Sequence, residues 1–223
     1  MTGVLMAVFS FAGNSSMYMG VSTGKASLIA ILTGLPAVVV VTFAYFLWGE
    51  TLTYVQMLAF FIIISGLLLV RYSNDLKRGN LQGVHWGVLA LLFFGFNDLS
   101  GKWSTKLGAA LFPTLFFMVV TGRLLFAGGW LLNRKTPHMK QMDLKTFLIG
   151  MIVGLTNFGG MIFILTAFRD GITGLVSAVV ATNVVIILLY TRLFLRERFK
   201  KVELWGICIA LLGMMVLHVS NQG

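Results

Sequence analysis

Eight apolar stretches, each close to the length of a bilayer's hydrocarbon core, follow one another along this chain, and charged residues fall mostly in the gaps between them. A core of about 30 Å needs about 20 apolar helical residues. The stretches cover residues 2–21, 26–48, 54–71, 84–103, 109–132, 147–167, 172–193 and 202–219. They lack the apolar/polar alternation of barrel strands and exceed barrel-strand length. Backbone groups in lipid must be paired internally, so helices follow. The third stretch is the shortest, with an uncharged core from Val55 to Val70 bracketed by Tyr54 and Tyr72 as interfacial aromatics. The expected fold class is an all-α polytopic membrane protein with eight transmembrane helices.

Composition narrows the functional classes. With 58% hydrophobic and 11% charged residues, the polar surface is too small to wrap a water-soluble globule. The lone Cys208 excludes an intrachain disulfide and any multi-cysteine metal site. A net charge of +10 raises the question of a nucleic-acid partner, but the basic residues punctuate apolar runs and line no polar face, so none is expected. They report orientation instead. Thirteen of the 17 fall on one side of the alternating spans; Lys102, Lys106 and Arg169 fall on the other, and Arg123 lies inside the fifth span. By the positive-inside rule, the Arg134/Lys135/Lys140/Lys145 and Arg196/Arg198/Lys200/Lys201 loops are cytoplasmic and the C-terminus is outside. Nothing precedes the first span that reads as a charged signal-peptide leader.

The chain also resembles itself. Shifted by 147 residues, Gly3–Val70 matches Gly150–Leu217 without a gap, with ten of 68 pairs identical. The coincidences matter more than the count: Gly3/Gly150, Gly13/Gly160, Gly24/Gly171, Gly66/Gly213 and the loop acids Glu50/Glu197. The first three spans therefore correspond to the last three. Residues 1–72 read as the final three helices of a first copy, 73–83 as an inter-repeat loop, and 84–223 as a complete five-helix second copy. An odd number of helices per copy turns the second copy upside down relative to the first, the inverted arrangement of secondary transporters. The repeat also implies two further helices ahead of Met1, missing by truncation, by a mis-assigned start or by loss.

The stretch Ile31–Val70, ILTGLPAVVVVTFAYFLWGETLTYVQMLAFFIIISGLLLV, resembles the end of the five-helix EamA-type repeat of the drug/metabolite transporter superfamily. The matching features are Pro36 within a span, then Gly49, Glu50, Leu52 and Thr53 at a turn, and Gly66 in the last helix. The second copy keeps Glu197 and Gly213 but carries Arg196 for the glycine and Asn183 for the proline. VVTGRLLFAGGWLL is similar to the arginine-bearing second helix of the repeat, with Arg123 at that position. The resemblance implies a ten-helix, inverted five-plus-five carrier, an exporter of small metabolites, amino acids or drugs, multi-pass in a bacterial inner (plasma) membrane. It also implies cytoplasmic termini, against the charge count, which we prefer for this chain.

Ionisable groups inside a span cost several kcal/mol unless paired or hydrated, which makes them functional candidates. Arg123 lies near the middle of its span; its bland alternative is snorkelling or binding helix-end carbonyls. Asp98 lies in Gly95-Phe96-Asn97-Asp98-Leu99-Ser100-Gly101-Lys102, where i,i+4 spacing predicts an Asp98–Lys102 pair. Asn97 and the paired glycines also suit a locally opened helix lining a wet cavity. A depth difference of about 12 Å between Asp98 and Arg123 argues against a direct pair. Asn14, Asn157 and Asn183 are further pathway candidates, although such residues more often bond between helices. Pro36 and Asn183, equivalent by the repeat, each offer a carbonyl near mid-span. The expected substrate-binding set is thus Arg123, Asp98, Asn97, Asn14, Asn157, Asn183 and Pro36. Glu50 and Glu197 are expected to satisfy backbone or cap the following helix. His85, His138 and His218 have no ligand spacing, so no metal or cofactor is expected.

The leading functional reading is therefore a secondary transporter working by alternating access on a small-molecule substrate, with membrane lipid around it. Two alternatives are a non-transporting membrane subunit and a membrane-embedded lipid-modifying enzyme; the latter lacks the clustered acids or His pairs such chemistry uses. A homodimer, or a partner packing where the two missing helices belong, completes the expectations.

Overall fold

The computed structural model describes residues 1–23, 29, 32–72, 83–132, 144–182 and 201–220. Among them the chain forms eight helices and no strand: α1 (Thr2–Thr23), α2 (Pro36–Trp48), α3 (Tyr54–Tyr72), α4 (Val84–Lys106), α5 (Leu111–Leu132), α6 (Leu144–Asp170), α7 (Thr173–Ala181) and α8 (Lys201–Ser220). By length and composition alone, Thr2–Thr23, Leu111–Gly129 and Phe147–Asp170 are able to cross a membrane; α2 and parts of α3 and α8 are apolar but shorter.

The second apolar stretch is not one continuous helix. The Thr33 N–H donates to the Ile29 carbonyl at 2.9 Å and Leu35 N–H to Leu32 at 3.1 Å, and the helix then restarts at Pro36. Proline disfavours α geometry in the residue before it and has no N–H to lose at a helix start. At the other end of α2, Gly49 adopts φ +63°, its N–H donating to the Tyr45 carbonyl and the Glu50 N–H to that of Ala44. A left-handed residue costs glycine nothing, so the chain turns there and carries Glu50 sideways, out of the helix line.

Two seams organise the bundle. In the first, α1 packs along α4 and onto α5. Gly3 lies against the Thr114 backbone, and a Cβ at Gly13 would lie 2.9 Å from the Phe94 ring. In the second, α3 packs along α8. A Cβ at Gly66 would lie 2.5 Å from the Ala210 nitrogen, and one at Gly213 would lie 2.9 Å from the Ile63 nitrogen. These contacts are reciprocal under the 147-residue shift, which maps Gly66 to Gly213 and Ile63 to Ala210. Advancing along α3 means retreating along α8, so the two helices run antiparallel. The seam's core comprises Ala59, Phe60, Ile63, Ile64 and Leu67 of α3 with Leu217 of α8, joined by Ala37, Leu175 and Ala178. By contrast, residues 147–157 of α6 are all exposed.

Candidate functional site

A cleft of about 1640 Å³ lies between α1, α5 and α6. Its polar lining is Ser10 and Asn14 from α1, Arg123 from α5 and Asn157 from α6, set among Phe112, Phe116, Phe117, Phe126 and Phe158. Arg123 is 12 residues from the start of α5, about 18 Å along the axis. Among the described residues, no carboxylate or carbonyl pairs with it. Asn14 Nδ2 donates to the Ser10 carbonyl at 2.8 Å, which fixes that amide against its own helix and leaves its oxygen uncommitted to that bond. Under the repeat, Ala7 maps to Gly154 and Ser10 to Asn157, and all four line the cleft. Equivalent faces of α1 and α6 thus meet across one space.

Three of the candidates read from the sequence, Arg123, Asn14 and Asn157, therefore share a wall. Asp98, Asn97 and Pro36 do not join them. Asp98 accepts a 2.6 Å hydrogen bond from Ser177 Oγ of α7, and the neighbouring Asn97 Oδ1 is buried without a hydrogen-bond partner among the described residues. Pro36 sits at the start of α2 beside α4, its carbonyl oxygen 3.6 Å from where a Cβ of Gly95 would stand. Asn183 lies outside the described residues, as does Glu197.

The expected Asp98–Lys102 pair does not form. Lys102 Nζ instead donates to the carbonyls of Phe168 at 2.6 Å and Gly171 at 2.7 Å, and lies 3.7 Å from Glu50 Oε1. Spacing on one helix sets which face two side chains share, but it says nothing of competing acceptors. Here the free carbonyls at the C-terminal end of α6 compete, as such ends do for cations.

Glu50 satisfies backbone, one of the two expected roles, but on a helix other than the one that follows it. Its Oε2 accepts from the Thr173 N–H at 2.9 Å and its Oε1 from Thr173 Oγ1 at 3.1 Å, at the first residue of α7. A carboxylate satisfies unpaired N–H groups and favours the positive end of the helix dipole. Lys106 Nζ lies 3.8 Å from the same carboxylate and 5.2 Å from the centre of the Trp48 ring. One residue delivered by the Gly49 turn thus ties together α2, α4 and α7, and through Lys102 the end of α6. Sequence reasoning missed this knot. Its available signal was Lys102 and Lys106 sharing a helical face on the same side of the membrane as Glu50.

Apolar helices meeting at glycine seams, with polar groups turned into an interhelical cleft, are the features of an integral membrane protein. The sequence matches the EamA-like transporter family over residues 1–72 and 81–219, and the chain belongs to that family. A WAT1-related chloroplastic protein of Arabidopsis thaliana is 22% identical over 208 residues, 89% of this chain and 50% of the relative. The chain thus spans half the length of the curated relative it matches. A crystal structure of 12% sequence identity superimposes with a TM-score of 0.81, covering 99% of this chain and 76% of the other, and supports the fold.

Proposed function

We propose that the chain acts as a secondary transporter, an exporter of small organic metabolites such as amino acids or drugs, by alternating access in a bacterial inner (plasma) membrane. The observation that carries this reading is the cleft itself. Repeat-equivalent positions of α1 and α6 face it, and Arg123, which no described residue pairs, lines it far from either end of α5. An arginine at that depth invites an anionic group such as a carboxylate, while the surrounding phenylalanines accept an apolar body. Asn14 and Asn157 supply orienting hydrogen bonds.

The architecture we infer is the ten-helix inverted repeat, with residues 1–72 closing the first copy and 84–223 forming the second. The reciprocal antiparallel contact of Gly66 and Gly213 supports it, because a two-fold axis across antiparallel helices lies in the membrane plane. The open glycine face of α6 supports that architecture as well. Gly3 and Gly13 of α1 pack on α5 and α4, whereas a Cβ at their equivalents Gly150 and Gly160 on α6 would meet nothing within 4 Å. That flank is the seat of the first copy's counterparts of α4 and α5.

The test is flux in proteoliposomes containing the chain, across a panel of labelled amino acids, other carboxylates and amines. Transport of a carboxylate-bearing solute is expected, with Arg123→Gln lowering its kcat/KM about 10-fold to 100-fold and Arg123→Lys retaining part of it, the loss expected for one charge-assisted contact. No flux of any solute above protein-free liposomes would refute the transport reading. Undiminished flux in Arg123→Gln would remove Arg123 from the site.

A further inference from the structure

The membrane face that bears Glu50, Lys106 and Arg169 is closed by two layers. The deeper layer is apolar. Met6 from the start of α1, Leu115 from the start of α5, and Leu165 and Phe168 from the end of α6 meet there, each at most 1% exposed. Met118 and Phe158, which pack against this plug, also line the cleft, so the plug sits directly over it. Ser10, Asn14, Arg123 and Asn157 all lie one or more turns farther from that face along their helices. The shallower layer is polar and consists of the Glu50 carboxylate with Thr173, Lys102 and Lys106.

The two layers join at one residue. The Phe168 side chain belongs to the plug, and its carbonyl oxygen takes the 2.6 Å hydrogen bond from Lys102. Lys102 is in turn held by Glu50. By the repeat, Glu50 is the only first-copy residue in the polar layer as described, so the layer pins one copy to the other. Its bonds to Lys102 and Lys106, at 3.7 and 3.8 Å, exceed the roughly 2.8 Å of a charge-assisted hydrogen bond. The Glu50 side chain keeps 13% of its surface exposed and Lys106 keeps 39%. Both are therefore placed to separate into water at the membrane surface, where release does not strand a charge in lipid.

We propose that this double closure is a gate between the cleft and the Glu50 face, and that Glu50 is its latch. When the carboxylate lets go of Thr173 and the lysines, the last turns of α6 are free to swing outward, taking Leu165 and Phe168 away from Met6, Leu115 and the Gly101 face of α4. The gate rests on the transport reading above, since a gate needs a pathway to close.

The experiment is side-specific thiol labelling. In a Cys208→Ala background, Ser10→Cys places a reporter in the cleft beneath the plug. The full chain is reconstituted in one orientation, and a membrane-impermeant maleimide is added from either side. From the Glu50 side, Glu50→Gln and Lys102→Met are expected to raise the labelling rate about tenfold, the scale of one lost hydrogen bond or ion contact to a charged group. Thr173→Val removes only the hydroxyl bond and is expected to give a smaller rise. Unchanged labelling from that side in all three variants would overturn the latch. Should the charge variants fail to fold, Thr173→Val decides alone: a rise supports the latch and an unchanged rate refutes it. No solute enters this measurement, so a chain inactive in the flux assay still reports on the latch, and active flux with unchanged labelling removes the latch alone.

Discussion

Replacing Gly66 by alanine isolates the seam between α3 and α8, because the three atoms nearest the new methyl are all backbone. It would stand 2.5 Å from the Ala210 nitrogen, 2.7 Å from the Gly206 oxygen and 2.9 Å from the Ala210 Cα. Ordinary contact begins at 3.4 Å, so the helices must part by about 0.9 Å, and a gap of that size forfeits a quarter to a half of each dispersion well. Ile63 and Leu67, fully buried in the same seam, lose contacts with it. Overpacking of this kind costs about 1–3 kcal/mol, and an unyielding backbone points to the upper end. Alanine returns about 1 kcal/mol of helix propensity. The net expectation is a loss of about 2 kcal/mol, measured as the shift in unfolding by sodium dodecyl sulfate in mixed micelles. Gly213→Ala is expected to cost a similar amount, and the double variant less than the sum, since helices already parted for one methyl accommodate the other. Gly160→Ala serves as the contrast. It is a repeated glycine like the other two, but a Cβ there meets nothing within 4 Å, so it is expected to be neutral or stabilising by up to about 1 kcal/mol. Equal damage from Gly66→Ala and Gly160→Ala would refute the reasoning, because propensity alone would then govern both.

Two further outcomes test the polar groups. Gly49→Ala places a side chain at φ +63° and is expected to cost about 1 kcal/mol, with Gly49→Asn costing less; equal stability of all three in the same unfolding assay would mean that the turn relaxes. Ser177→Ala removes the donor to Asp98 and is expected to cost about 2 kcal/mol, whereas Asp98→Asn keeps an acceptor oxygen for Ser177 and is expected to cost less; the reverse order in that assay would show that the hydrogen bond does not hold α4 to α7.

The glycine coincidences were the most legible part of the chain. Gly66 and Gly213 align at the 147-residue shift and then meet at one seam, because a residue chosen for close approach in one copy is needed for the same approach in the other. Arg123, Asn14 and Asn157 were legible as polar residues in apolar spans, and the cleft gathers them. What spacing could not convey was competition among acceptors. Asp98 and Lys102 share a helical face, yet Lys102 reaches two uncapped carbonyls and Glu50, and Asp98 turns to Ser177. Both choices depend on helix ends that are remote in sequence.

The Gly-Glu pair shows how a short signature acquires a physical meaning only in three dimensions. In sequence, Glu50 is an acid in a turn, and capping of the next helix is the economical inference. In the fold, Gly49 ends α2 in the left-handed conformation, and this turns Glu50 away from α3 toward α7, whose N-terminus lacks a side-chain cap of its own in Ile172. The acid then satisfies the start of α7, which under the proposed repeat belongs to the other copy. A charge that served only its own copy would lend rigidity to one half of the bundle. Placed across the two, as the proposed repeat has it, the acid ties their relative position, which is the basis of the latch proposed above.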